Sequence, residues 1–176
     1  MRIIRSIIAV AFATCFAATA AAGPATRTQR GLDFEAQGLK VKVEFYSDNI
    51  VRVYKEPAGK PYNKVSIPVI MQPGAVQLTY GGSGATATVA SGAVMVSVNT
   101  ETGGIAFADA KGNQMLRDKD YGTQFTPRDD AGRPSFEVRQ AFLLDTAEVI
   151  YGLGQQQTGL VSQRNQRLLL RNQNMS

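Results

Sequence analysis

At 176 residues the chain has the length of about one domain. It contains no His, no Trp and a single Cys, which excludes Ser-His-Asp and Cys-His relays and any zinc site built from His and Cys. Lys and Arg exceed Asp and Glu by 19 to 14, and the excess is not clustered on one stretch, so a nucleic-acid partner is not expected.

Residues 1–22 have the organisation of a secretory signal peptide. Arg2 and Arg5 supply the positive start, an apolar run begins at Ile7, and Ala20-Ala21-Ala22 offers small residues at a cleavage site. Cleavage after Ala22 removes the lone Cys15 and lowers the net charge from +5 to +3. The expected location is secreted or periplasmic, with no membrane contact after cleavage. Absence of Cys from the mature chain fits a periplasmic domain held by its core instead of disulfides.

Residues 23–30 are polar, begin with Gly-Pro, and read as a short leader to a domain over 31–176. From Leu39 the apolar period is two: Val41, Val43 and Phe45 alternate with Lys40, Lys42 and Glu44. Ser47-Asp48-Asn49 then turns the chain into Ile50–Tyr54, which predicts a hairpin. Pro57, Gly59 and Pro61 mark a loop. Further strands are predicted at Val65–Met71 (an edge or irregular strand, because of Pro68), Val76–Tyr80, Thr86–Ala90 and Ala93–Asn99. Gly81–Gly84 separates two of these. Glu101–Gly104 and Asp109–Asn113 turn the chain on either side of Ile105–Phe107, and Gln114–Leu116 follows. Residues 117–134 are charged and carry Gly122, Pro127, Gly132 and Pro134, which predicts an exposed loop before a strand at Ser135–Leu144. The acidic pair Asp129-Asp130 in that loop lacks the further oxygen ligands a calcium loop needs, so no metal site is expected. Strands at this spacing, with Gly and Asn turns, predict an all-β antiparallel sandwich or barrel.

The segment after Leu144 is the most distinctive. Two glycines one residue apart, in Tyr151-Gly152-Leu153-Gly154-Gln155, let the backbone bend sharply or approach another strand closely. A phosphate-binding glycine loop is excluded: the third Gly is missing at the required offset and no helix follows to hold an anion. No cofactor is expected.

The run Asp145–Gln157 resembles the end of the N-terminal β-sandwich domain of glycoside hydrolase family 31, which includes α-glucosidases and α-xylosidases. The hairpin Lys40–Tyr54, the stretch Ala93–Asn99 and Thr102–Phe107 are also similar. The resemblance implies a galactose-mutarotase-like sandwich, C-terminally incomplete, in a chain that lacks the family's catalytic (β/α)8 barrel. A barrel of that kind takes about 250 residues. The family's two catalytic carboxylates lie in that barrel, about 5–5.5 Å apart as a retaining mechanism requires. No carboxylate of this chain matches them, so no catalytic residue is assigned. The resemblance further implies that a loop near Gln163–Asn174 helps line the sugar site, with Arg164, Asn172 and Asn174 as hydrogen-bonding side chains. On this reading the chain is the non-catalytic part of a secreted glycoside hydrolase whose partner is an oligosaccharide. The alternative is a free-standing secreted carbohydrate-binding sandwich. Lack of Trp weakens it, since sugar platforms use flat aromatic faces.

Overall fold

The computed structural model describes residues 24–61, 66–154 and 159–170. The expected signal segment, Gln155, Asn172 and Asn174 lie outside the described residues. The described residues form ten strands: β1 (Thr26–Thr28), β2 (Gly31–Ala36), β3 (Leu39–Ser47), β4 (Ile50–Pro57), β5 (Thr79–Ser83), β6 (Thr86–Ala90), β7 (Val94–Asn99), β8 (Ile105–Asp109), β9 (Gln114–Asp130) and β10 (Arg133–Leu143). They form two antiparallel sheets, β1-β2-β3-β4 and β10-β9-β8-β7-β6-β5, in a sandwich-like arrangement without helices among the described residues.

The period-two pattern decides which face is inward. Val41, Val43 and Phe45 of β3 are at most 1% exposed, while Lys40 and Lys42 point to solvent. They meet Val89, Val96, Val98 and Ile105 of the second sheet, with Leu32, Phe34 and Ala36 of β2 alongside. Full burial of side chains this size stabilises by about 1.5–3 kcal/mol each, so this row accounts for the pairing of the sheets. The core lies beneath β2–β4 and β6–β8; β9 and β10 extend past it.

Several expectations are corrected. Residues 26–28, placed in the leader, form β1 and pair with β2 through Thr28↔Gly31, Arg27↔Leu32 and Thr26↔Asp33. Residues 66–71 of the expected strand Val65–Met71 are not in a strand. Its Pro68 cannot donate to a ladder. The strand expected at Val76–Tyr80 is displaced to Thr79–Ser83, and Gly81 and Gly82 of the expected separator are part of it, while Gly84 lies in the turn that follows. Gly82 is needed in the strand: a Cβ would collide with the Thr86 carbonyl across the pair. The largest correction concerns residues 117–134, which are not a loop. Gln114–Asp130 is one strand of 17 residues, and it turns at Ala131-Gly132 into β10. Both glycine and proline are accommodated: Gly132 takes the turn at φ 80°, and Pro127 and Pro134 lie on strands open to solvent on both faces.

Candidate functional site

Two regions of the molecule concentrate polar and exposed groups. The first is the segment singled out by the glycine phrase. Gly152, Leu153 and Gly154 take φ values of 82°, 63° and 87°, so three successive residues are left-handed. Glycine makes this conformation accessible at two of the three positions. The result is a bend that carries Tyr151 on the surface, 65% exposed. Arg164 does not stand free beside it: its Nη1 donates to the carbonyls of Asp145 at 2.7 Å and Glu148 at 2.6 Å. Gln163 N donates to Ile150 O at 2.7 Å, and the Gln163 side chain is buried. Together Gln163 and Arg164 staple residues 159–170 to the stretch 145–150. The structure thus brings Arg164 near the glycine phrase, through the backbone carbonyls just before it.

The second region was not anticipated. Where β9 and β10 run past the core, their inner face and β4 enclose a groove of about 390 Å³. Its walls are apolar, with Val51 and Val53 from β4, Phe107 from β8, Leu116 and Phe125 from β9, and Val138 and Phe142 from β10. At its polar end Lys55 Nζ donates to Asp118 Oδ2 at 3.0 Å, with side chains only 9% and 5% exposed. Asp118 also accepts from Ile105 N at 3.2 Å and from Gln140 Nε2 at 2.8 Å. The Gln140 Oε1 in turn meets the Thr123 hydroxyl.

Local backbone makes this possible. The β9–β10 register passes from Gln140↔Thr123 to Phe142↔Asp118, so Lys119–Gly122 are set against Ala141 alone. Asp120 and Gly122 are left-handed at φ 54° and 72°. A Cβ on Gly122 would collide with the Asp118 carboxylate, so glycine is the residue that lets Asp118 turn inward. One sequence signal was available: Val51, Val53 and Lys55 share one face of β4, and opposite Lys55 stands the buried Val41. A lysine ending an inward row asks for a buried acid. Its partner lies 63 residues away and is not found by local pattern.

Comparison with known proteins bears on the whole architecture. The profile of the glycosyl hydrolase 31 N-terminal galactose mutarotase-like domain matches residues 40–176. Among solved structures, the family 31 α-xylosidase from Xanthomonas citri is similar at 26% identity and a TM-score of 0.68, over 80% of this chain. A family 31 α-xylosidase from a soil metagenome, determined with xylose, shares the fold at 20% identity and a TM-score of 0.65, again over 80% of this chain. The chain spans 16% of the length of the first enzyme and 23% of the second. With 137 consecutive residues matched and the two-sheet architecture in place, this chain belongs to the glycosyl hydrolase 31 N-terminal, galactose mutarotase-like domain family.

Proposed function

We propose that this chain is the non-catalytic N-terminal sandwich of a secreted or periplasmic α-glycosidase, of α-xylosidase or α-glucosidase type. The observation that carries the reading is the pairing of a domain match over residues 40–176 with solved relatives of which the chain covers only 16% and 23%. The surface is in keeping with it. Leu144, Tyr151, Val161, Leu169 and Leu170 are all at least 39% exposed, along the C-terminal third of the chain. Apolar exposure on this scale marks a contact surface, and the remainder of such an enzyme is the partner that suits it. The one deeply buried carboxylate in the groove, Asp118, is already bonded to three groups and is not disposed to act as a nucleophile. In this reading Arg164 holds the segment that faces the sugar-binding part of the parent enzyme, and the oligosaccharide is a partner of the parent.

The test is an assay of the purified chain on 4-nitrophenyl α-xyloside and α-glucoside, alongside affinity electrophoresis on xyloglucan and starch. The expected result is no release of nitrophenol and no retardation. Hydrolysis would overturn the reading. Strong retardation without hydrolysis would favour a free-standing carbohydrate-binding module instead. N-terminal sequencing of exported material, expected to begin at Gly23, tests the proposed secretion.

A further inference from the structure

We propose that the groove between β4 and the β9–β10 hairpin binds a small neutral amphipathic molecule, with its oxygen on Lys55 Nζ and its apolar body against the phenylalanine wall. The proposal starts from an imbalance within the ion pair. An ammonium carries three donors. Among the described residues the Lys55 Nζ meets one acceptor, Asp118 Oδ2, although the side chain is only 9% exposed. Asp118 is satisfied on both oxygens by Lys55, Ile105 N and Gln140. The donors left over belong to Lys55, and Lys55 lines the groove. These donors face an open groove, where a ligand oxygen accepts from them in exchange for water.

Charge selects the class of acceptor. Lys55 and Asp118 cancel each other, so the pair is neutral as a unit. A carboxylate ligand would bring an extra charge into a site where both existing charges are at most 9% exposed, which is penalised by desolvation. An ammonium ligand would stand beside the Lys55 ammonium as a like charge, next to a carboxylate that already accepts three hydrogen bonds. A hydroxyl or carbonyl oxygen accepts from Lys55 and adds no charge. The rest of the ligand meets Val51, Val53, Phe107, Leu116, Phe125 and Phe142, which calls for an aliphatic or aromatic body. The size, about 390 Å³, falls within the range of small-molecule clefts. Val138 and Phe142, 56% and 45% exposed, stand at the rim and leave it open to solvent. The inference does not rest on the glycosidase reading: it uses only this groove.

The experiment is a titration of the full chain by two-dimensional amide NMR with 1-octanol, octanoate and octylammonium, three probes of equal body and different head. The expected result is saturable shifts at the amides of Val51, Val53, Ile105 and Phe125 with 1-octanol, and at least tenfold weaker binding of both charged probes. In the Lys55→Met/Asp118→Leu double variant, which removes the pair together, 1-octanol should bind about tenfold more weakly and its advantage over octanoate should vanish, as loss of one charge-assisted hydrogen bond predicts. If that variant does not fold, the order of the three probes on the natural chain decides. Absence of saturable shifts up to the solubility of octanol, shifts confined to residues 159–170, equal affinity for the three heads, or undiminished octanol binding in the double variant would each overturn the proposal.

Discussion

Lys55 and Asp118, 63 residues apart in sequence, form the one ion pair among the described residues that joins the two sheets, at 3.0 Å and nearly out of reach of solvent. Lys55 belongs to β4 of the smaller sheet and Asp118 to β9 of the larger. The exposed pairs Arg30–Glu44 and Arg128–Glu137 each lie within one sheet or beside it, at 3.6 and 3.9 Å, and contribute little. Removing one partner of a buried pair strands the other charge, at a cost of about 3–5 kcal/mol. Lys55→Met should therefore lower the urea midpoint sharply. Lys55→Met/Asp118→Leu should recover most of the loss, since a buried pair exchanged for apolar side chains is often neutral. A double variant no more stable than the single one would show that Asp118 is not left uncompensated.

Close backbone approach makes a different prediction at Gly31. There β2 lies against β3 so tightly that a Cβ would run into the Val43 carbonyl oxygen. The neighbouring atoms are backbone and cannot swing aside. Gly31→Ala should destabilise by about 1–3 kcal/mol, the cost typical of overpacking. Gly92 is the control: nothing lies within 4 Å of the place a Cβ would occupy. Gly92→Ala should leave the thermal midpoint unchanged or slightly raised, through the unfolded state.

The contrast between β3 and β9 explains what the sequence made legible. β3 has one face on the core, so Val41, Val43 and Phe45 alternate with lysines and the period is visible. β9 projects beyond the core and is solvated on both faces over most of its length, so it carries charges, Pro127 and no alternation. Burial writes the pattern, and a strand without burial is indistinguishable from a loop. β2 did carry the pattern, in Leu32, Phe34 and Ala36, but over too short a span after a polar leader. Arg164 was singled out by the resemblance as a hydrogen-bonding side chain for sugar; its bonds to the Asp145 and Glu148 carbonyls depend on a bend no pattern reports. The groove depends on Gly122 and the register shift beside it, which are readable only once β9 is known to be a strand.

Arg164 provides a prediction about local order. One guanidinium nitrogen serves two carbonyls, at 2.7 and 2.6 Å, and so holds residues 145–148 against the 159–170 segment. Arg164→Ala should raise amide hydrogen exchange across residues 145–150 severalfold while leaving β3 and β7 protected, because local openings need not involve the core. Arg164→Lys should rescue only part of the protection, since the lysine nitrogen lies one bond nearer the backbone than Nη1, which makes both contacts. Unchanged exchange in Arg164→Ala would mean that Gln163 N on Ile150 O is sufficient to hold the segment.

Asp109 yields a pH dependence whose sign follows from its partners. In the turn after β8 its carboxylate accepts from Asn113 Nδ2, Asn113 N and Lys111 N, each at 2.8 Å. These donors, the Asn113 side chain first, hold the Asp109 pKa below the usual aspartate value, and the small desolvation that opposes them does not prevail. A carboxyl group whose pKa is lower folded than unfolded adds stability above its unfolded pKa, and that stability is lost as pH falls through the folded one. The carboxyl carbon of Asp109 should therefore titrate below the ordinary aspartate range by NMR, and Asn113→Ala should move its midpoint upward. The difference in urea midpoint between the natural chain and Asn113→Ala should be largest near neutral pH and should narrow once the solution is acidic enough to protonate Asp109 in both. A difference that stayed constant from neutral to strongly acidic pH would assign the effect of Asn113 to turn geometry alone.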